Sequence, residues 1–205
     1  MEEQLKLEHY FPTTIGTVDC PFIEEIKEPY KKIISKFKYE SSGFCRERVH
    51  LNNKFRKLNT WILKQIHEYA RKHLYADYYE CKESWLLDYP KGGGQSFHKH
   101  PGFIFSAVFF LEGYENDTAL NFESPVQDMM NPTNATAHHD GKAVHNELTY
   151  TVISYPPKTG RLVIWRSYLS HGCYNKQTDD KIKNSDNPDQ TSADLISERR
   201  DNIRN

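Results

Sequence analysis

A chain of 205 residues is long enough for one domain with a proper core and too short to expect two. Its 27% charged and 37% hydrophobic residues fit a soluble globular protein, and a net charge of −1 gives no global electrostatic case for nucleic acid or an acidic membrane. No apolar stretch approaches the roughly 20 residues needed to span a bilayer, so no membrane partner is expected.

The start, Met1-Glu2-Glu3-Gln4-Leu5-Lys6, has neither the basic opening nor the apolar segment of a secretion signal. Cys20, Cys45, Cys81 and Cys173 are scattered with no CxxC pair, which reads as reduced thiols in a cytoplasmic protein. Asn134-Ala135-Thr136 matches a glycosylation triplet, a pattern common by chance.

Residues 1–80 read as helical. Phe22, Ile26, Tyr30, Ile33, Ile34 and Phe37 have helical spacing over 21–39, with a break expected near Pro29. Phe55, Leu58, Ile62, Ile66, Tyr69 and His73 recur every three or four residues over 52–75, with Lys and Arg on the other face. From residue 84 the texture changes to short strands, expected over 84–89, 95–100, 103–111, 119–123, 149–155 and 161–165, a β core spanning 84–175. Gly92-Gly93-Gly94 lacks the Gly-Lys-Ser/Thr ending of a phosphate loop and reads as a hairpin turn. Residues 125–146 are a long polar insertion of the length that lids have, and 176–205 read as a loop-rich tail. Helices first and many strands after predict an α+β, mainly β layout, with N-terminal helices packed on one sheet of a sandwich or barrel.

His98 and His100 stand at i, i+2 before an apolar run, and His171 follows about 70 residues later. On a strand, such a pair points to one face, and a histidine from a neighbouring strand can close a third side of a metal. Neutral imidazole suits Fe(II), Zn(II), Cu(II) or Ni(II). Non-haem Fe(II) oxygenases usually hold iron with two histidines and a carboxylate. Here His100 occupies the carboxylate position. Glu123 is an alternative carboxylate, and Asp140, after His138 and His139, a more distant one.

Several motifs resemble the jelly-roll dioxygenases that use Fe(II) and 2-oxoglutarate, near the prolyl 4-hydroxylase-like branch. They are Glu83-Ser84-Trp85-Leu86, Gln95-Ser96-Phe97-His98-Lys99-His100-Pro101-Gly102, Leu120-Asn121-Phe122-Glu123, Gly160-Arg161-Leu162-Val163-Ile164 and Ser167-Tyr168-Leu169-Ser170-His171-Gly172. The group most similar comprises uncharacterised 2-oxoglutarate/Fe(II) oxygenases of bacteria and their phages. The resemblance implies a double-stranded β-helix in which His98, His100 and His171 hold Fe(II). It also implies hydroxylation by O2, coupled to decarboxylation of 2-oxoglutarate to succinate. A basic residue should bind the distal carboxylate of 2-oxoglutarate. The family places an arginine about ten residues after the distal histidine, where this chain has Lys181. Arg199, Arg200, Arg204 and Arg166 are the other candidates, Arg204 on a final strand that the chain barely begins. Tyr89 and Tyr114 are possible hydrogen-bonding partners of the co-substrate, and Trp85 and Trp165 possible pocket walls. Two further readings stay open: a three-histidine cupin-type metalloenzyme that does not use 2-oxoglutarate, and a non-catalytic jelly-roll binding module.

Overall fold

The computed structural model describes residues 11–73, 78–114, 117–126 and 150–174, together with the backbone of strands at 138–139, 142–143 and 192–199. Helix α1 (Ile23–Ile34) buries Ile26, Tyr30 and Ile34 along one stripe. It runs through Pro29 without the expected break. Pro29 is exposed, so water can satisfy the carbonyl that loses its donor, and the buried stripe holds the helix together. Helix α2 (Arg56–Lys72) buries Leu58, Ile62, Ile66, Tyr69 and Ala70, close to the face expected.

The strands form two antiparallel sheets. The larger contains β1 (Ile15–Asp19), β2 (Phe44–Cys45), β3 (Tyr79–Leu87), β5 (Phe105–Phe110), β10 (Arg161–Arg166) and β12 (Ser192–Arg199), in the order β1-β10-β5-β12-β3-β2. The smaller contains β4 (Gln95–His98), β6 (Leu120–Glu123), β9 (Val152–Tyr155) and β11 (His171–Cys173), in the order β4-β11-β6-β9. A separate hairpin, β7 (His138–His139) and β8 (Lys142–Ala143), falls within the polar insertion. From β3 onward the chain passes back and forth between the two large sheets.

Side-chain alternation divides the interior into two layers. Phe105, Ala107 and Phe109 of β5, with Leu162 and Ile164 of β10, join the stripes of α1 and α2. Their alternates, Val108, Phe110, Val163 and Trp165, meet Leu120 and Phe122 of the smaller sheet. This double coverage is why β5 is apolar at almost every position rather than at every second one. The loop-rich reading of the tail needs correction: it contains β12, hydrogen-bonded to β5 on one side and β3 on the other. The helical reading of 1–80 likewise missed β1, which pairs with β10 from Ile15↔Trp165 to Asp19↔Arg161. All four cysteines are free thiols. Among the described residues, no helix is long and apolar enough to cross a membrane.

Candidate metal centre

The β3–β4 connection turns at Pro90 to Gly93, where the Gly93 N–H donates to the Pro90 carbonyl at 2.8 Å. It delivers the chain into β4, whose last residue is His98. Strand β11 begins with His171, and the two histidines are direct cross-strand partners. Partners of this kind present side chains on the same face. His100 lies beyond the end of β4 rather than on it, which corrects the expected six-residue strand. Its position is fixed by its own N–H, which donates to the Ser167 carbonyl at 3.1 Å. Gly172 permits the strands to meet: a Cβ there would lie 2.7 Å from the Gln95 carbonyl oxygen and 3.0 Å from the Phe97 nitrogen.

These three constraints bring His98, His100 and His171 together, with one ring nitrogen of each within 4.8 Å of the others. The ring centroids of His98 and His171 are 4.3 Å apart, and those of His100 and His171 are 4.9 Å apart. Hydrogen bonds set two of the tautomers. Nδ1 of His98 lies 2.9 Å from the Ser96 carbonyl, and Nδ1 of His171 lies 3.0 Å from the Leu169 carbonyl. A carbonyl only accepts, so each Nδ1 carries the proton and each Nε2 keeps its lone pair. Such carbonyl-anchored imidazoles are what metal-binding histidines require. Nε2 of His98 is buried with no hydrogen-bond partner among the described residues, and Nε2 of His171 accepts from Nε2 of His100 at 3.1 Å.

Burial pushes the His171 imidazole down to about 3, and the neighbouring His98 and His100 add to this against the opposing Leu169 carbonyl. Burial likewise brings His100 down to about 4, with His98 contributing. Both rings are therefore neutral near pH 7, the state that can donate a lone pair to a cation. An orphaned buried nitrogen and two neutral neighbours fit a divalent metal with some affinity for imidazole.

The remaining candidates fall in different places. Glu123 is not part of the cluster; it accepts a hydrogen bond from the Ser170 hydroxyl at 2.6 Å. Arg166 follows the inward-facing Trp165, so alternation turns it to the helix-bearing face, opposite Phe105 in register, with its guanidinium over the Tyr168 ring. Arg199 ends β12 at the register position of Tyr79. Lys181, Arg200, Arg204 and Asp140 lie outside the described residues. Tyr114 follows the end of β5 and interacts with Glu112. Tyr89 donates to the Gln95 side chain at 3.1 Å. Trp85 lies 5.8 Å from His100 and Trp165 lies 4.7 Å from His171, centroid to centroid, so both tryptophans wall the cluster.

Residues 83–183, about half of the chain, match the family described as "Putative 2OG-Fe(II) oxygenase". No curated protein matches the sequence. Solved structures similar to this chain include a Pseudomonas putida prolyl-4-hydroxylase, at 12% identity and TM-score 0.59, covering 92% of this chain and 94% of that one. HygX from Streptomyces hygroscopicus, solved with nickel, 2-oxoglutarate and hygromycin B, has 12% identity and TM-score 0.59 over 91% of this chain and 83% of its own. A 2OG-Fe(II) oxygenase family oxidoreductase from Burkholderia pseudomallei has 10% identity and TM-score 0.57 over 90% and 84%. At such identities the likeness is one of fold. Through residues 83–183, the segment that carries all three clustered histidines, the chain belongs to the 2-oxoglutarate/Fe(II)-dependent oxygenases, a superfamily of enzymes.

Proposed function

We propose that this protein is an Fe(II)- and 2-oxoglutarate-dependent oxygenase on a double-stranded β-helix, with His98, His100 and His171 as the iron ligands. The observation that carries this reading is the buried, unpartnered Nε2 of His98 beside two neutral imidazoles. The overall reaction takes 2-oxoglutarate, O2 and a C–H bond to succinate, CO2 and a C–OH group. Bound iron would supply the activation of O2. The chain holds the imidazoles in one tautomer through the Ser96 and Leu169 carbonyls. It also walls the centre with Trp85, Phe122 and Trp165, which limits water at the reacting atoms. The substrate is proposed to be a small molecule or a peptide; most of the insertion at 125–146, expected from sequence to be a lid, lies outside the described residues.

A second reading is favoured by one specific observation: among the described residues, the cluster has no carboxylate. Three neutral ligands leave Fe(II) at charge +2, whereas a carboxylate would lower it to +1. That suits a three-histidine cupin-type centre that does not use 2-oxoglutarate. Anaerobic loading with Fe(II), followed by optical titration with 2-oxoglutarate, separates the two. A weak visible charge-transfer band is the expected result. Iron bound without the band supports the second reading, and no iron bound leaves a non-catalytic binding module.

A further inference from the structure

The net charge of −1 conceals a division within the chain. Residues 23–72, from the start of α1 to the end of α2, carry thirteen lysines and arginines against six glutamates, a net +7 that leaves −8 on the remainder. Part of this charge gathers where the two helices meet. Tyr30 and Phe37 pack on Phe55 at 4.8 Å and 6.4 Å between ring centroids, so the C-terminal end of α1 lies beside the start of α2. Lys36 and Lys38 flank Phe37, and Lys54 and Arg56 flank Phe55. Lys32 stands one turn before Lys36. Arg48 is drawn to the same end, because the Asn59 amide of α2 donates to the neighbouring Val49 carbonyl at 2.8 Å. All six cations are exposed, and none has an ion pair among the described residues. Glu25 is engaged by Lys57 and Glu40 by Arg46, which leaves Glu47 as the one carboxylate in 35–60 outside an ion pair. Helix α2 also opens with Arg56 and Lys57 and has no acidic residue in its first turn, although the positive end of a helix favours acid there. Cations massed at that end repel one another, and an external anion would relieve the repulsion.

We propose that this end of the helix layer is a docking surface for a nucleic-acid duplex, held through its phosphates without regard to sequence. Lysines and arginines clustered on one exposed face, free to replace the counterions of a phosphate backbone, are what such binding requires. A membrane fits less well. The apolar stripes of both helices are turned into the core, and Leu51 is the one exposed large hydrophobic residue between 12 and 72. A protein partner would lack the apolar anchors that carry most of the energy of such interfaces. The same stretch offers no exposed aromatic ring on which the bases of a single strand could stack. The face belongs to the helix-bearing side of the larger sheet, opposite the histidines, so the inference does not depend on the metal or the co-substrate.

The test is fluorescence anisotropy of a short labelled DNA duplex of arbitrary sequence, titrated with the full chain at several salt concentrations. Binding in the micromolar range is expected near physiological salt, with log Kd rising by about 0.9 per decade of salt for each phosphate engaged. Changing Lys36, Lys38, Lys54 and Arg56 together to Gln should weaken binding about tenfold or more and lower that slope by about 3–4. A charge-matched variant with Gln at Lys64, Lys72, Lys91 and Lys158, exposed cations outside the cluster, should keep the native slope. If the first variant does not fold, the pairs Lys36→Gln with Lys38→Gln and Lys54→Gln with Arg56→Gln should each remove about half of the slope change. Equal weakening in the cluster and charge-matched variants overturns the assignment of this face. So does a native chain that does not bind the duplex, or binds it without salt dependence. Binding to phosphatidylserine vesicles without binding to the duplex overturns it in favour of a membrane.

Discussion

His98, His100 and His171 are held in different ways, and the differences predict how each responds to substitution. His171 is 4% exposed, anchored through Nδ1 and paired in register with His98, and among the described residues no other ligand group joins the cluster. His171→Ala should lower Fe(II) affinity by more than the 10–100-fold typical of losing an outer partner, as measured by equilibrium dialysis without oxygen. His100 sits beyond the strand, and among the described residues its ring is held by the Nε2 bond to His171. His100→Asp should therefore still bind one iron per chain, whereas His100→Ala should bind it markedly less tightly. Equal loss in both variants would place the third ligand elsewhere. At this scale the histidines were legible in the sequence because imidazoles at a strand end have few structural uses. Arg166 follows Trp165, and alternation sends the two side chains to opposite faces of β10.

Between β4 and β11, the element that decides the geometry is a close backbone approach. Gly172→Ala would press a methyl group against the Gln95 carbonyl and the Phe97 amide. It should cost about 1–3 kcal/mol, as overpacking generally does, seen as a lower denaturation midpoint. It should also weaken iron binding, because His98 and His171 lie on the strands being pushed apart. Strand β12 makes a second prediction. It fills the gap between β5 and β3, and truncation before Ser192 would expose both flanking edges. The shortened chain should aggregate where the full chain stays monodisperse in size-exclusion chromatography. The strands with apolar alternation, such as β10, were legible from sequence. β12 was not, because Ser192-Ala193-Asp194-Leu195-Ile196-Ser197-Glu198 has no such pattern and its place is set by partners more than 80 residues earlier in the chain.

Across the whole molecule, the larger sheet separates stability from chemistry. Its helix-bearing face is packed by α1 and α2, and its inner face looks toward the histidines. Ile66 is 1% exposed in the helix layer. Ile66→Ala should cost about 2–5 kcal/mol of unfolding free energy yet leave the iron affinity of the folded protein unchanged, since distant sites act independently. A parallel loss of iron affinity would show that the two layers are coupled. The two-layer plan was legible as helices followed by strands. The residue that would bind the co-substrate's distal carboxylate was not, because Lys181, Arg166, Arg199, Arg200 and Arg204 share no sequence pattern that ties one of them to His171. The central claim is that the metal is held by three imidazoles and no carboxylate, and X-ray absorption on the Fe(II)-loaded protein tests it most directly. The account predicts three imidazole nitrogens in the first coordination sphere, falling to two in His100→Ala. A sphere with two imidazoles and a protein carboxylate, unchanged in His100→Ala, would contradict it.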